Sequence, residues 1–497
     1  MTATSVTDAS KSATAMITIT AATGPMLADG TYVYHLAGQN ANGPLFLAGA
    51  FTVASGGITA GEQDFSDSAA AYSNSITSTG SGVSMGSGGN VQVALATGNT
   101  NIGDNGVITL RGTKTSATRV LISEYDEYGV GTGSIDLQTS TAAPAGSYAY
   151  LVSGVGFDTN GDAITTGIGG VLNISGTTVS LSNSVFDLNF GSTVSLAKSF
   201  TAGTVSAPDS FGRFSIGLSP DTTTGLSNFI LTGYVVGPNQ VQLIESQQDD
   251  LGFNLAGMAL AQGSNAGSFN QNALAGKAYV YSGVGADVVG AADFAGVIHF
   301  AADGTLSGPL AINDITNNGE DTITGGTYTV GANGRVTLND VTTQSNPLNG
   351  NYAFLMYLDG NGNALMMGAD TVEVSAGPAY LQTTSSPQLG GLYAIVGQGF
   401  LNDGNGSPWS ASGALTINGS NYAGFTDYND MGTPTPNVTL RGSVDSSSDV
   451  LTLTGLNAVS FTGGASFLNY PIDNNRVVTI SIDQAMLGML QMEAVSQ

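Results

Sequence analysis

The chain has no cysteine, one tryptophan and two histidines among 497 residues. Without thiols there are no disulfides, no thiolate metal sites and no cysteine nucleophile. With only His35 and His299 available, both in β-alternating stretches at different places in the chain, a general base has few candidates. Charge is scarce too: 9% of residues are charged, against about 25% in an average soluble domain, so solubility rests on Ser, Thr, Asn and Gly. Basic residues are the scarcest, 10 against 36 acidic, for a net charge of −26. Such a field repels nucleic acid and anionic lipid and makes both poor candidate partners. No run of 18 apolar residues is present, so no helix inserts into a membrane. Met1 to Ser5 carries neither the basic nor the apolar region of a signal peptide. The export that this composition suggests therefore needs a signal outside the chain.

What is abundant is glycine, 71 residues, in a chain that is 41% hydrophobic and poor in strong helix formers. That composition predicts an all-β protein. Gly30-Thr31-Tyr32, Gly146-Ser147-Tyr148, Gly276-Lys277-Ala278-Tyr279 and Gly391-Leu392-Tyr393 each open a segment, and these starts lie 116, 130 and 115 residues apart. Three segments close alike, on a Gly followed five residues later by Gln: Gly133 and Gln138, Gly257 and Gln262, Gly377 and Gln382. In the fourth, Gln491 comes three residues after Gly488, and Glu493 stands at the expected distance. Fixed-period self-similarity of this kind marks a tandem array.

The expected organisation is a hairpin over 1–22, then β units over 29–140, 145–264, 275–383 and 390–497, each long enough to bury its own core. Turn signals every 8 to 12 residues favour a sandwich or barrel. In the first unit the strands read as 32–37, 45–53, 57–60, 91–96, 107–111, 119–124 and 133–138, and 78–89 reads as a low-complexity connection. Short connections favour an antiparallel meander, and closing it removes the edges through which a low-charge β protein would stick to itself. The array therefore reads as about four antiparallel β-barrel or β-sandwich units, strung as beads.

Gly82-Val83-Ser84-Met85-Gly86 matches the hydrolase elbow pattern, but no helical period follows it and the match reads as accidental. Asp158, Asn160 and Asp162, and likewise Asp359, Asn361 and Asn363, place oxygen side chains at alternate positions round a Gly turn, as Ca²⁺ requires. Neither loop has the Glu of an EF-hand, Gly169 and Asp370 standing in its place, and the same residues also suit a plain hairpin turn. Both readings stand, and calcium is the one cofactor the sequence suggests. Asn402 to Gly406 is a weaker third instance. Tyr32, Tyr148, Tyr279 and Tyr393 recur once per unit and read as core anchors rather than sugar-stacking faces. Trp409, after Pro408, reads as a solvent-facing loop residue.

Residues Thr2 to Val6, a turn through Asp8 and Lys11, and Ser12 to Thr20 resemble the last two strands of a bacterial immunoglobulin-like domain. The Gly-x-Tyr openings, the Asp-x-Asn-Gly turn and the Gly-x4-Gln endings over residues 29–497 resemble secreted tandem β-repeat surface proteins of acidobacterial type. The resemblance implies an extracellular or cell-surface protein and no activity.

The functional expectation is a non-enzymatic structural or adhesive array; the alternative is a set of carbohydrate- or small-ligand-binding barrels. A two-carboxylate glycosidase ranks last, because no such pair is evident. The expected partners are the chain itself or a surface polysaccharide. Ala15, Ile17, Ile19 and Ala21 form an apolar stripe that a lone hairpin leaves in water. Either the rest of an immunoglobulin-like domain precedes Met1, or the segment completes a sheet of the next molecule and builds a filament.

Overall fold

Eight strands of unit 1 run in chain order around a closed barrel: Gly30–Asn40, Gly43–Ala54, Gly57–Asp67, Ala71–Met85, Val91–Ala96, Val107–Ser116, Arg119–Glu124 and Gly129–Leu137. The eighth returns antiparallel to the first, with Ile135 opposite Tyr34. This computed structural model describes residues 26–496 apart from 87–89, 192, 246–248, 250, 288, 315, 346–350, 446–449 and 457–463, plus the backbone of Thr2–Thr4 and Ser12–Thr14. Unit 3, from Lys277–Asp287 to Glu373–Leu381, and unit 4, from Gly391–Leu401 to Met486–Ala494, close in the same way.

Unit 2 closes less tightly. Its third position is split between Thr178–Val179 and Val185–Phe190, and its fourth between Thr193–Lys198 and Phe200–Val205. The ring is completed there by one residue pair, Thr178 with Thr204. The chain is thus all-β, in four tandem antiparallel barrel units, and helix among the described residues is limited to 3-10 turns such as Thr222–Thr224.

Strand Ala71–Met85 replaces the connection read over 78–89. Only Ile76 in it is buried, so it lacks the apolar alternation by which a strand is recognised. Each barrel interior is filled by its own side chains, as expected for eight strands: Tyr32, Phe51 and Phe65 in unit 1, Tyr150 and Phe186 in unit 2, Tyr281 and Phe354 in unit 3, Tyr393 and Phe467 in unit 4. Trp409 belongs to that last core. It is fully buried in strand Pro408–Asn418, where its indole N–H donates to the Leu487 carbonyl at 3.4 Å, so the solvent-facing reading is corrected. Pro408 is tolerated because it is the first residue of that strand.

Each opening Tyr is followed six residues later by glycine: Gly38, Gly154, Gly285 and Gly399. A Cβ at these positions would run into a carbonyl oxygen of the eighth strand, at Val130, Asn254, Val374 and Leu487 respectively. The first and eighth strands approach there as closely as backbone allows.

The units do not string out as beads. The first strands of each barrel pack on the last strands of the next, and unit 4 packs on unit 1 in the same way. Small apolar clusters fill the joints: Val33, Phe46 and Tyr234 between units 1 and 2, Leu151, Leu355 and Tyr357 between 2 and 3, Val280, Ala311 and Tyr470 between 3 and 4, Leu121, Ala394 and Val396 between 4 and 1. A head-to-tail interface whose rotation closes gives a ring instead of an open chain.

Polar clasps repeat with the same rotation. Asp64 accepts from Arg213 Nε and Nη2 at 2.7 and 2.8 Å and from the Tyr234 hydroxyl at 2.5 Å, across the 1–2 joint. Asp187 accepts from Arg335 Nε and Nη2, both at 2.7 Å, and from Tyr357 at 2.9 Å, across the 2–3 joint. At the closing joint Asp427 accepts from Asn90 at 2.9 Å and pairs with Arg111 at 3.5 Å. Two residues beyond each of these positions, Asn189 and Asn429 reach carbonyls of the following unit's last loop, Asp370 and Glu373 for Asn189 and Asp126 and Gly129 for Asn429. Asn313 reaches Ser481 and Met486 alike, and in unit 1 Ser66 donates to Asn254.

The Gly-x4-Gln ending has its role here. Gln138 donates to the Val235 carbonyl at 2.7 Å, Gln262 to Leu358 at 2.8 Å and Gln382 to Pro471 at 2.8 Å, each in the next unit. In unit 4 the register places Leu490 and Val495 at the Gly and Gln positions, not Gly488 and Glu493, because Leu490 lies opposite Gly397 as Gly377 lies opposite Gly283. Ser496 N and Oγ donate to the Thr115 carbonyl instead, which closes the ring.

A buried carboxylate that loses its cation costs about 3–5 kcal/mol, whereas removing both partners costs far less. Arg335→Met should therefore shift urea unfolding by about that amount, and adding Asp187→Leu should recover most of the loss. A double variant as unstable as the single one would show that the pair does not lock the joint.

Candidate functional site

The axis of the ring is open. A cavity of about 880 Å³ lies between the four barrels, lined from all of them by first, second, seventh and eighth strands. The glycines at 38, 154, 285 and 399 all face it. Strand register orders its wall into layers. At the layer where eighth strands end stand Arg119, Gln240, Asn363, Tyr380, Arg476 and Glu493. Arg119 pairs with Asp136 at 2.7 Å and Glu493 at 3.1 Å, tying unit 1 to unit 4, and Arg476 pairs with Asp473 at 2.9 Å. Four to six residues along the first strands the wall is apolar, with Phe46, Val155, Val284, Phe400, Trp409 and Leu487.

His35 lies on the wall between these layers, and burial pulls its pKa down to about 4, so its imidazole is neutral. Its nearest hydroxyl is Ser134 Oγ, at 3.4 Å from Nδ1. Ser134 in turn donates to Asp136 at 2.5 Å, so its proton is already committed to the carboxylate and is not poised for abstraction by His35. His299 is exposed on strand Ala291–Phe300. Gly82 to Gly86 contribute to the strand Ala71–Met85 and its end, without the strand-to-helix turn an elbow needs.

The candidate calcium residues form two separate turns. Asp158 Oδ1 accepts from the amides of Asn160 and Asp162 at 2.8 and 2.9 Å, and its Oδ2 accepts from the Asn160 amide group at 3.2 Å. Asp359 Oδ1 accepts from the amides of Asn361 and Asn363 at 2.7 and 3.0 Å, with the Asn363 side chain on Oδ2 at 2.8 Å. Asp403 repeats the pattern, and hydrogen bonds from Ser407 and Asn405 pull its pKa down to about 2. Among the described residues no three acidic or imidazole groups gather as a metal cluster. Tyr32, Tyr148, Tyr279 and Tyr393 are buried and offer no face to a sugar ring. Ala15, Ile17, Ile19 and Ala21 lie outside the described residues; of that hairpin, Thr2–Thr4 pairs antiparallel with Ser12–Thr14.

A feature absent from the sequence reading is a buried Glu with an Asp beside it near the last loop of three units: Glu124 with Asp126, Glu245 with Asp249, Glu373 with Asp370. Burial first, and the neighbouring Asp second, push Glu245 up to about 9 and Glu373 up to about 8, and raise Glu124 well above the carboxylate range. The signal was a Glu and an Asp flanking the same loop in successive repeats.

Two outcomes follow from this chemistry. A carboxyl whose pKa is raised by folding holds its proton more tightly in the native chain. The stability it brings is complete below the ordinary carboxylate pKa near 4.3 and is lost as pH climbs through 8 to 9. Thermal melting should therefore be highest near pH 5 and fall towards pH 9, and Glu245→Gln with Glu373→Gln should flatten that slope. An unchanged slope in the double variant would remove these two groups as its cause. For the Asp158 and Asp359 turns, whose Oδ1 atoms are held by amides, the expected result of adding calcium is an unchanged melting temperature; a rise reversed by chelation would establish cation loops.

No family model matches the chain and no curated protein matches it. Among solved structures, a mutant of the vaccine antigen transferrin binding protein B from Haemophilus parasuis is similar at 9% identity over 97% of this chain and 98% of its own, with a TM-score of 0.18. A protein of unknown function from Nostoc punctiforme is similar at 12% identity over 46% of this chain and 94% of its own, with a TM-score of 0.13. Likeness at that level leaves the functional argument to the residues themselves.

Proposed function

We propose that this protein is a non-enzymatic structural or adhesive module of the cell exterior, a rigid block of four barrels rather than a set of independent binding beads. The observation that carries this reading is closure: every barrel core is filled, and every joint, including that between the last unit and the first, is bridged by polar side chains reaching the neighbouring unit. Investment of the buried polar groups in joints is what a part under mechanical load requires. The low charge and the Ser, Thr and Asn surface fit an exposed protein, and no helix among the described residues is long and apolar enough to cross a membrane.

Self-assembly by strand donation belongs to the same proposal, with residues 1–22 as donor. Three barrels present no gap for an added strand. Unit 2 supplies the acceptor, since Thr193–Lys198 pairs on one side only and the wall beside it is joined by a single residue pair.

Deleting residues 1–22 tests this directly. The intact chain should form concentration-dependent polymers in sedimentation velocity and the shortened chain should remain monomeric. An intact chain that stays monomeric at high concentration rules the filament out and leaves the rigid module as the reading.

A further inference from the structure

The axial cavity is built with two chemically different ends, and one of its apolar side chains is poorly covered. Val284, on the first strand of unit 3, is 46% exposed although it faces the cavity, beside a wall that includes Val155, Phe400 and Leu487. Apolar surface left against water is unfavourable at about 25 cal/mol per Å². A volume of about 880 Å³ is within the range of small-molecule sites. The other end, roughly 15 Å away by strand rise, offers donors and acceptors whose cations are already paired: Arg119 is held by Asp136 and Glu493, and Arg476 by Asp473. A charged head group there would have to break one of these pairs, and an anionic one would also meet a chain of net charge −26. An uncharged head finds Gln240, Asn363 and Tyr380 without such a cost. Gln398, in the layer of Val284, has a carbonyl oxygen with no hydrogen-bond partner and lines the same space.

We infer that the axial cavity binds one uncharged amphiphile, its apolar body against Val284, Val155 and Phe400 and its hydroxyl or amide head towards Gln240, Asn363 and Tyr380. This site lies between the barrels. It makes the ring a carrier as well as a block, because only the closed ring has an axis to enclose a ligand.

The single tryptophan reports on it, since Trp409, buried in the core of unit 4, adjoins the cavity wall. Full-length protein is titrated with 1-dodecanol, dodecanoate and dodecyltrimethylammonium below their aggregation limits, following Trp409 fluorescence and displacement of N-phenyl-1-naphthylamine. The expected result is saturable binding of dodecanol at one site per chain, with both charged analogues weaker by about ten-fold or more. Val284→Glu places a charge in the apolar layer at an already exposed position and should weaken dodecanol by about ten-fold with the melting temperature unchanged. Ala286→Glu, two residues along the same strand, is the second variant, and Phe425→Glu, at a 53% exposed position outside the cavity, is the control that leaves binding intact. Absence of saturable dodecanol binding, full binding by both cavity variants, or equal binding of either charged analogue overturns the inference.

Discussion

A carboxylate taken out of water must be met by a cation or by several donors, and in this molecule the meeting takes place between barrels. Asp64, Asp187 and Asp427 sit on the third strand of one unit and are satisfied by the next. The unit that owns the charge therefore cannot hide it alone. That constraint accounts for what surrounds it: the Tyr hydroxyls on the same oxygens, the Asn two residues further on that captures the neighbour's loop, and the Gln that ends each segment by reaching forward. Four barrels with this requirement are satisfied together only if the last meets the first.

The axial cavity is a by-product of that arrangement. Strands one and eight of each unit face the axis, and they can draw together there because position 38 and its counterparts are glycine. A side chain at those positions would push the strand pair apart and swell the inner wall. The wall's chemistry then follows from strand alternation, since the residues between the interface positions and the core positions are the ones left to line the space.

Much of the barrel was legible in the sequence. The Gly-x-Tyr openings mark first strands, and the four tyrosines are core anchors as read. Strands such as Val91–Ala96 and Arg119–Glu124 match residue for residue. Ala71–Met85 was missed because an exposed strand needs no apolar face, and Trp409 because the proline before it suggests a loop when it only begins a strand. The joints were hidden for a different reason. Asp64-Phe65-Ser66, Asp187-Leu188-Asn189, Ala311-Ile312-Asn313 and Asp427-Tyr428-Asn429 look like ordinary strand residues one at a time, and only their alignment shows a polar pair recurring at the same register in three of the four. Nothing local to one repeat encodes that its partner is a neighbour, or that the fourth repeat returns to the first.

One joint of the four lacks the charge. Between units 3 and 4 Ala311 occupies the place of the aspartate, and the Tyr470 hydroxyl opposite has no partner among the described residues. The ring is circular in its contacts but not in its chemistry. Ionic strength acts on the three charged joints and spares this one, while cooling weakens the apolar joint most, because hydrophobic attraction fades at low temperature. If the circle gapes, this joint can part without leaving an ion stranded, but the short chain from Leu381 to Gly391 keeps its two units tethered, whereas the joint between units 4 and 1, which no chain crosses, is held by charge.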